Sequence, residues 1–136
     1  MRRKGFLVVL ALAATMLVAV SSAFAARSFT THIAFLGNSG PSAQDQTFTG
    51  DLNTNAKCRG ARKVGLFKET SSGFRLVDID LSSFNGAWAL RTDVTGSPNL
   101  LVRVAREKRS RGRVVCKPAK LSLSATASPE TYSPAG

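Results

Sequence analysis

KVGLFKETSSGFRLVDIDL, residues Lys63–Leu81, reads as strand, turn, strand. Lys63–Lys68 is the first strand and Ser71-Ser72-Gly73 the turn. In Phe74–Leu81 the apolar Val77, Ile79 and Leu81 alternate with Asp78 and Asp80, the period of two that a half-buried strand requires. The alternation predicts that the apolar trio faces a core. It also predicts that both aspartates face water, beside Arg or Lys partners across the sheet.

The same pattern extends in both directions. Upstream, Phe29, Thr31, Ile33 and Phe35 share one strand face, a Gly-Asn-Ser-Gly-Pro-Ser loop covers residues 37–42, and Gln46–Gly50 is a further strand. Downstream, Ser82–Gly86 turns the chain into Ala87–Arg91, where Trp88 and Leu90 share an inward face. Thr95–Asn99 is the next loop and Leu100–Ala105 the next strand; Val114–Cys116, Leu121 and Leu123 supply the last strand material. No helical period is sustained after the N-terminal segment. Short strands with a turn signal every ten or so residues predict an all-β fold, an antiparallel sandwich of about seven strands.

The ends set the domain limits. Arg2, Arg3 and Lys4 form a cationic head, Phe6–Val20 an apolar run, and Ala23-Phe24-Ala25 a small-x-small site, the order of a secretory signal peptide cut after Ala25. A retained membrane anchor is the competing reading. The Ser21-Ser22-Ala23 ending and the lack of a positive stop-transfer flank favour cleavage. The expectation is a signal helix over 1–25, one domain over 26–123 and a disordered tail over 124–136, where SATASPETYSPAG is small, polar and proline-dotted. Three of the 19 Lys and Arg lie in the head, leaving 16 against 8 acids, a net +8 for the secreted chain. That charge attracts acidic surfaces at long range and says nothing of fold.

Cys58 and Cys116 both lie in the exported part, and an even count outside the cell predicts a disulfide. Two free thiols are the competing reading. A zinc site fails on counting, since His32 is the only histidine and two more ligands would be needed. His32 also stands without a partner for nucleophilic catalysis, on the outward face of its strand, and no GxSxG, HExxH or phosphate-cradling glycine loop occurs. Asp78 and Asp80 do not fit a calcium loop, whose sixth position is Ser83 here instead of glycine. The chain therefore reads as a protein without enzymatic chemistry and without a cofactor.

Six cations crowd one region: Arg103, Arg106, Lys108, Arg109, Arg111 and Arg113. The run holds no aromatic ring for base stacking, and Gly112 makes it a loop instead of a recognition helix, so sequence-specific nucleic-acid binding is not expected. Two readings remain. One is a solvated edge hairpin whose charges block edge-to-edge pairing; the other is a salt-sensitive contact for anionic polymers or membrane surfaces.

An immunoglobulin domain would carry tryptophan soon after its first cysteine and tyrosine two residues before its second. Here Trp88 lies thirty residues past Cys58, and Val114 takes the tyrosine position. Phe48-Thr49-Gly50-Asp51-Leu52, Lys57-Cys58-Arg59-Gly60-Ala61-Arg62-Lys63-Val64-Gly65-Leu66-Phe67, Asn85-Gly86-Ala87-Trp88 and Val115-Cys116-Lys117-Pro118-Ala119-Lys120 fit another pattern better. Together they resemble small secreted bacterial domains of the transthyretin-like, or carboxypeptidase-regulatory-like, sandwich type, over roughly residues 46–123. Ser83 stands where those domains carry aspartate, and Pro98-Asn99-Leu100-Leu101 lacks their tyrosine. The resemblance implies an Ig-like, transthyretin-like sandwich acting as a non-catalytic accessory or surface module. It brings no catalytic residues with it. The expected role is structural or adhesive, toward an unidentified protein or envelope partner, with polyanion binding through residues 103–113 as the alternative.

Overall fold

The computed structural model describes residues 25–124. The expected signal helix, apart from Ala25, and all but Ser124 of the expected tail lie outside them. The described chain forms β1 (Arg27–Phe29), β2 (His32–Ser42), β3 (Asp45–Asn53), β4 (Lys63–Thr70), β5 (Gly73–Leu81), β6 (Ala87–Thr92), β7 (Asn99–Val104), β8 (Glu107–Arg109), β9 (Val114–Cys116) and β10 (Ala119–Ser124). A 3-10 turn over Ala56–Cys58 stands between β3 and β4.

Two antiparallel sheets, β10-β7-β4-β5 and β2-β3-β6, face each other as an all-β sandwich. Phe48, Leu52, Trp88 and Leu90 from one sheet meet Val64, Leu66, Leu100, Val102, Val104 and Leu123 from the other, all buried. Each such side chain contributes about 1.5–3 kcal/mol by leaving water. Trp88 is inward, as its alternation implied. It pairs with Gly50 on β3, and a Cβ there would lie 2.2 Å from Trp88 Cζ2, so glycine is what lets the indole lie across that strand.

A third sheet, β1-β9-β8, joins the same end at which β7 finishes and β4 and β10 begin. Its β1 runs parallel to β9, whereas β8 and β9 form an antiparallel hairpin. The sequence reading of about seven strands gives way to ten among the described residues. The predicted Phe29–Phe35 strand divides at Thr30–Thr31, where the chain passes from this small sheet into the sandwich. Residues 37–42, expected as a loop, continue β2, because bulges at Phe35/Gly37 and Ser39/Ser42 absorb the irregular residues without ending the pairing.

The largest correction concerns β5. Leu66 pairs with Asp78 and Val64 with Asp80, and paired residues share a face. Val64 and Leu66 are fully buried, so the aspartates point inward, while Val77, Ile79 and Leu81 are 37%, 52% and 57% exposed. The reason lies across the sandwich. β5 and β6 are edge strands of facing sheets, and β6 has no further strand to receive its amides. Asp80 Oδ2 accepts from Ala89 N at 2.8 Å, and Asp78 Oδ2 accepts from Arg91 N at 2.8 Å. Two carboxylates thus serve as the missing strand, and the alternating apolar residues are turned outward.

Candidate functional site

Residue by residue, the cationic region proves to be two different things. Cys58 closes the 3-10 turn, Cys116 ends β9, and the two form the expected disulfide, fully buried beside Val114 and Phe29. Next to it lies Arg62, also fully buried. Its Nη1 donates to Thr31 Oγ1 and to the Cys58 carbonyl, both at 3.2 Å; Nη2 donates to the carbonyls of Ala105 at 2.9 Å and Lys117 at 3.2 Å. Glu107 Oε2 stands 3.5 Å from Arg62 Nε. Burial lowers the guanidinium below its ordinary range, and the Glu107 charge opposes that shift.

Glu107 is shared. Its Oε1 accepts from Arg109 Nε at 2.8 Å, while Arg109 Nη1 and Nη2 donate to the carbonyls of Lys57 and Gly60 at 3.1 and 2.6 Å. Arg109 therefore ties the hairpin to the segment carrying Cys58 and is not a solvated cation. Lys108 and Arg111 are exposed, the latter in the turn between β8 and β9. Arg113 ends that turn, and its carbonyl accepts from Arg27 N. Sequence reasoning passed over Arg62 as a structural centre. The signal it carried was Glu107, a single acid inside a run of cations.

Arg103 belongs elsewhere. It stands on the outer face of the four-stranded sheet, with its guanidinium 5.4 Å from the centre of the Phe67 ring, within cation–π range. The pairings set out that face in rows: Lys120, Arg103, Gly65 and Ile79 in one, Ser122, Leu101, Phe67 and Leu76 in the next. Polarity therefore falls from β10 toward β5. A hollow of about 280 Å³ lies over Gly65, walled by Phe67, Leu76 and Ile79 and bordered by Lys63 and Arg103. A Cβ on Gly65 would stand 3.1 Å from Phe67 and 3.2 Å from Leu76, so glycine keeps the floor open. A second hollow shares Lys63 and Ala105 with the first and adds Arg106.

Along β5 and its turn, Phe74, Leu76, Val77, Ile79, Leu81 and Phe84 are all exposed, Phe84 by 90% at the tip of the turn closed by Gly86 N donating to Ser83 O. Leu36 is the one other large apolar side chain exposed among the described residues, so exposed apolar surface is concentrated along β5 and its turn. His32 is exposed on β2 opposite Asn53. Among the described residues no three His, Cys, Asp or Glu side chains converge to hold a metal. What the arrangement offers chemically is an apolar strip bordered by cations, suited to contact. The chain matches no protein-family model, no curated protein and no solved structure.

Proposed function

We propose that this chain is an exported, non-enzymatic β-sandwich module that binds a partner in the extracellular or cell-envelope space. The observation that carries this reading is the apolar strip on the outer face of β5, beside Lys63 and Arg103. Export is supported by the cationic, apolar and small-residue order of the N-terminus and by the buried disulfide. The transthyretin-like likeness, drawn from the motifs quoted above, fits an accessory module of this kind.

A photo-activatable side chain at position 79 or 84 tests the site against one at position 47 or 49 on the other sheet. Adducts with envelope material formed from the first pair alone are expected. Equal labelling from both pairs would overturn the choice of face. A second reading, contact with anionic polymers through residues 103–113, draws on the exposed Lys108 and Arg111 at the hairpin end. Retention on heparin that disappears at physiological salt would remove it.

A further inference from the structure

We infer that the outer face of β5 docks on an anionic lipid bilayer, with the apolar strip entering the interface and Lys63, Arg103 and Arg106 meeting headgroup phosphates. The inference rests on the binding-module reading above and names the partner of that same face.

Four observations favour this occupant. The first is charge. Lys63 and Arg103 border the apolar hollow and Arg106 the adjoining one. The nearby acids are engaged: Glu107 with Arg62 and Arg109, Asp78 and Asp80 with β6 amides, and Glu69 Oε2 with Asn99 Nδ2 at 2.6 Å. Lys63, Arg103 and Arg106 thus give the β7 side of the strip a cationic border, which complements phosphate, while Glu69, opposite Phe74, is an acid at the far end of the face.

The second is that the same charge opposes a second copy. Two copies meeting face to face would bring two cationic borders into one interface, on chains of net +8 once residues 1–25 are removed. The third concerns strand addition. Asp78 Oδ1 accepts the Ile79 amide at 2.9 Å, so one donor on this edge of β5 is already taken by its own neighbouring side chain, which disfavours strand addition there.

The fourth is shape. The exposed apolar residues follow one strand, and Phe84, 90% exposed, projects from the turn after it. A protein partner would need a matching concavity; a bilayer interface accepts a projecting aromatic ring without one. Apolar side chains set ~5–10 Å into the headgroup boundary, with cations beside them, are the usual arrangement of an interfacially bound protein.

The test uses the oxidised chain beginning at Ala26, because the apolar run over residues 6–20 would itself partition into lipid. Co-sedimentation is measured with vesicles of phosphatidylglycerol and phosphatidylcholine and with phosphatidylcholine alone. Binding to the anionic vesicles should be at least about tenfold tighter. Ile79→Ser with Phe84→Ser should weaken it by about tenfold or more, and Lys63→Gln and Arg103→Gln by about fivefold each. Lys108→Gln with Arg111→Gln, at the hairpin, should stay within about twofold, since the hairpin cations are not the contact. A Phe84→Trp variant should shift its emission to the blue and be quenched by brominated lipid. Each altered side chain is exposed or at the surface, and an unchanged melting curve confirms the fold of each variant.

Several results would overturn the proposal. Hairpin variants that weaken binding as much as the face variants would reduce it to general charge attraction. An unquenched Trp at position 84 would show that the strip stays outside the lipid. A dimer in solution dissociated by Ile79→Ser would assign the face to self-association. If vesicles do not bind but position 79 cross-links to an envelope protein, the lipid inference falls and the binding module stands. If neither contact forms, both fall.

Discussion

Arg62 carries a positive charge into a place that water does not reach. It is tolerated because four oxygens from four separate segments accept its protons and Glu107 lies beside its Nε. Replacing it with methionine keeps the bulk but leaves those acceptors unserved, and Arg62→Met should cost about 3 kcal/mol or more in chemical denaturation. A loss below about 1 kcal/mol would mean that water takes over the site. At the other end of the sandwich Arg91 makes a forked contact with Asp45, at 2.5 and 2.6 Å. Those hydrogen bonds, more than the accompanying charge attraction, hold the Asp45 carboxyl below its ordinary value of 3.8. The sign follows directly: a depressed carboxylate contributes stability above 3.8 and loses it as pH falls through the lowered value. Stability of the parent and of Asp45→Asn, compared in pH steps, should therefore differ at neutral pH and converge in acid. At this scale Trp88 was readable, because its inward face is shared with Leu90. Arg62 was not, because an arginine is assigned to solvent until its acceptors, spread over residues 31–117, are seen together.

β5 shows what a pattern of period two leaves open. Alternation separates two faces of a strand but does not say which one is inward, and transfer free energy alone favours the apolar one. Here the inward positions meet the amides at the open edge of β6, and Asp78 and Asp80 accept from them in place of water or a further strand. Replacing both with alanine should cost about 1 kcal/mol for each lost acceptor. It should also speed hydrogen exchange at the amides of Ala89 and Arg91 while leaving those of β4 protected. Unchanged exchange at the two amides would show that the carboxylates do not close the edge. The β8–β9 hairpin, by contrast, was anticipated as an edge hairpin, and the correction concerns one side chain in it. Arg109→Ser removes donors to Glu107, Lys57 and Gly60 and should lower stability by about 1–2 kcal/mol. Arg111 holds φ 56° in the turn, a left-handed conformation costly for a side chain with a Cβ. Arg111→Gly should therefore raise stability by up to about 1 kcal/mol, and a loss in place of that gain would show Arg111 to be making contacts of its own.

For the molecule as a whole, the main sandwich and the small β1-β9-β8 sheet are held differently. The sandwich has its own apolar core, whereas the small sheet buries Val115 and packs Val114 and Cys116 against Cys58 and Phe29. That second cluster is small, and the linkage is reinforced by the disulfide, by Arg62 and by the bonds of Arg109 to Lys57 and Gly60. The disulfide closes a loop of 58 residues, which the chain-entropy argument values at about 4 kcal/mol. Arg62 reaches the same region, through the carbonyls of Ala105 and Lys117 on either side of the hairpin. Ties on one element do not act independently. Once the sheet has come away, the second tie has nothing left to hold. Removing both in a cycle of Cys58→Ala with Cys116→Ala against Arg62→Met should therefore cost less than the two separate losses added together, by about 1 kcal/mol or more. Hydrogen exchange should locate the change. In either variant the amides of Glu107–Arg109 and Val114–Cys116 should lose protection first, while those of Val64, Leu66 and Val102 keep theirs. Strict additivity, with protection lost evenly over both sheets, would mean that the small sheet is part of a single cooperative core. In that case the bridge would stabilise the chain only by restricting its unfolded state, and the arginine would be an unrelated buried charge.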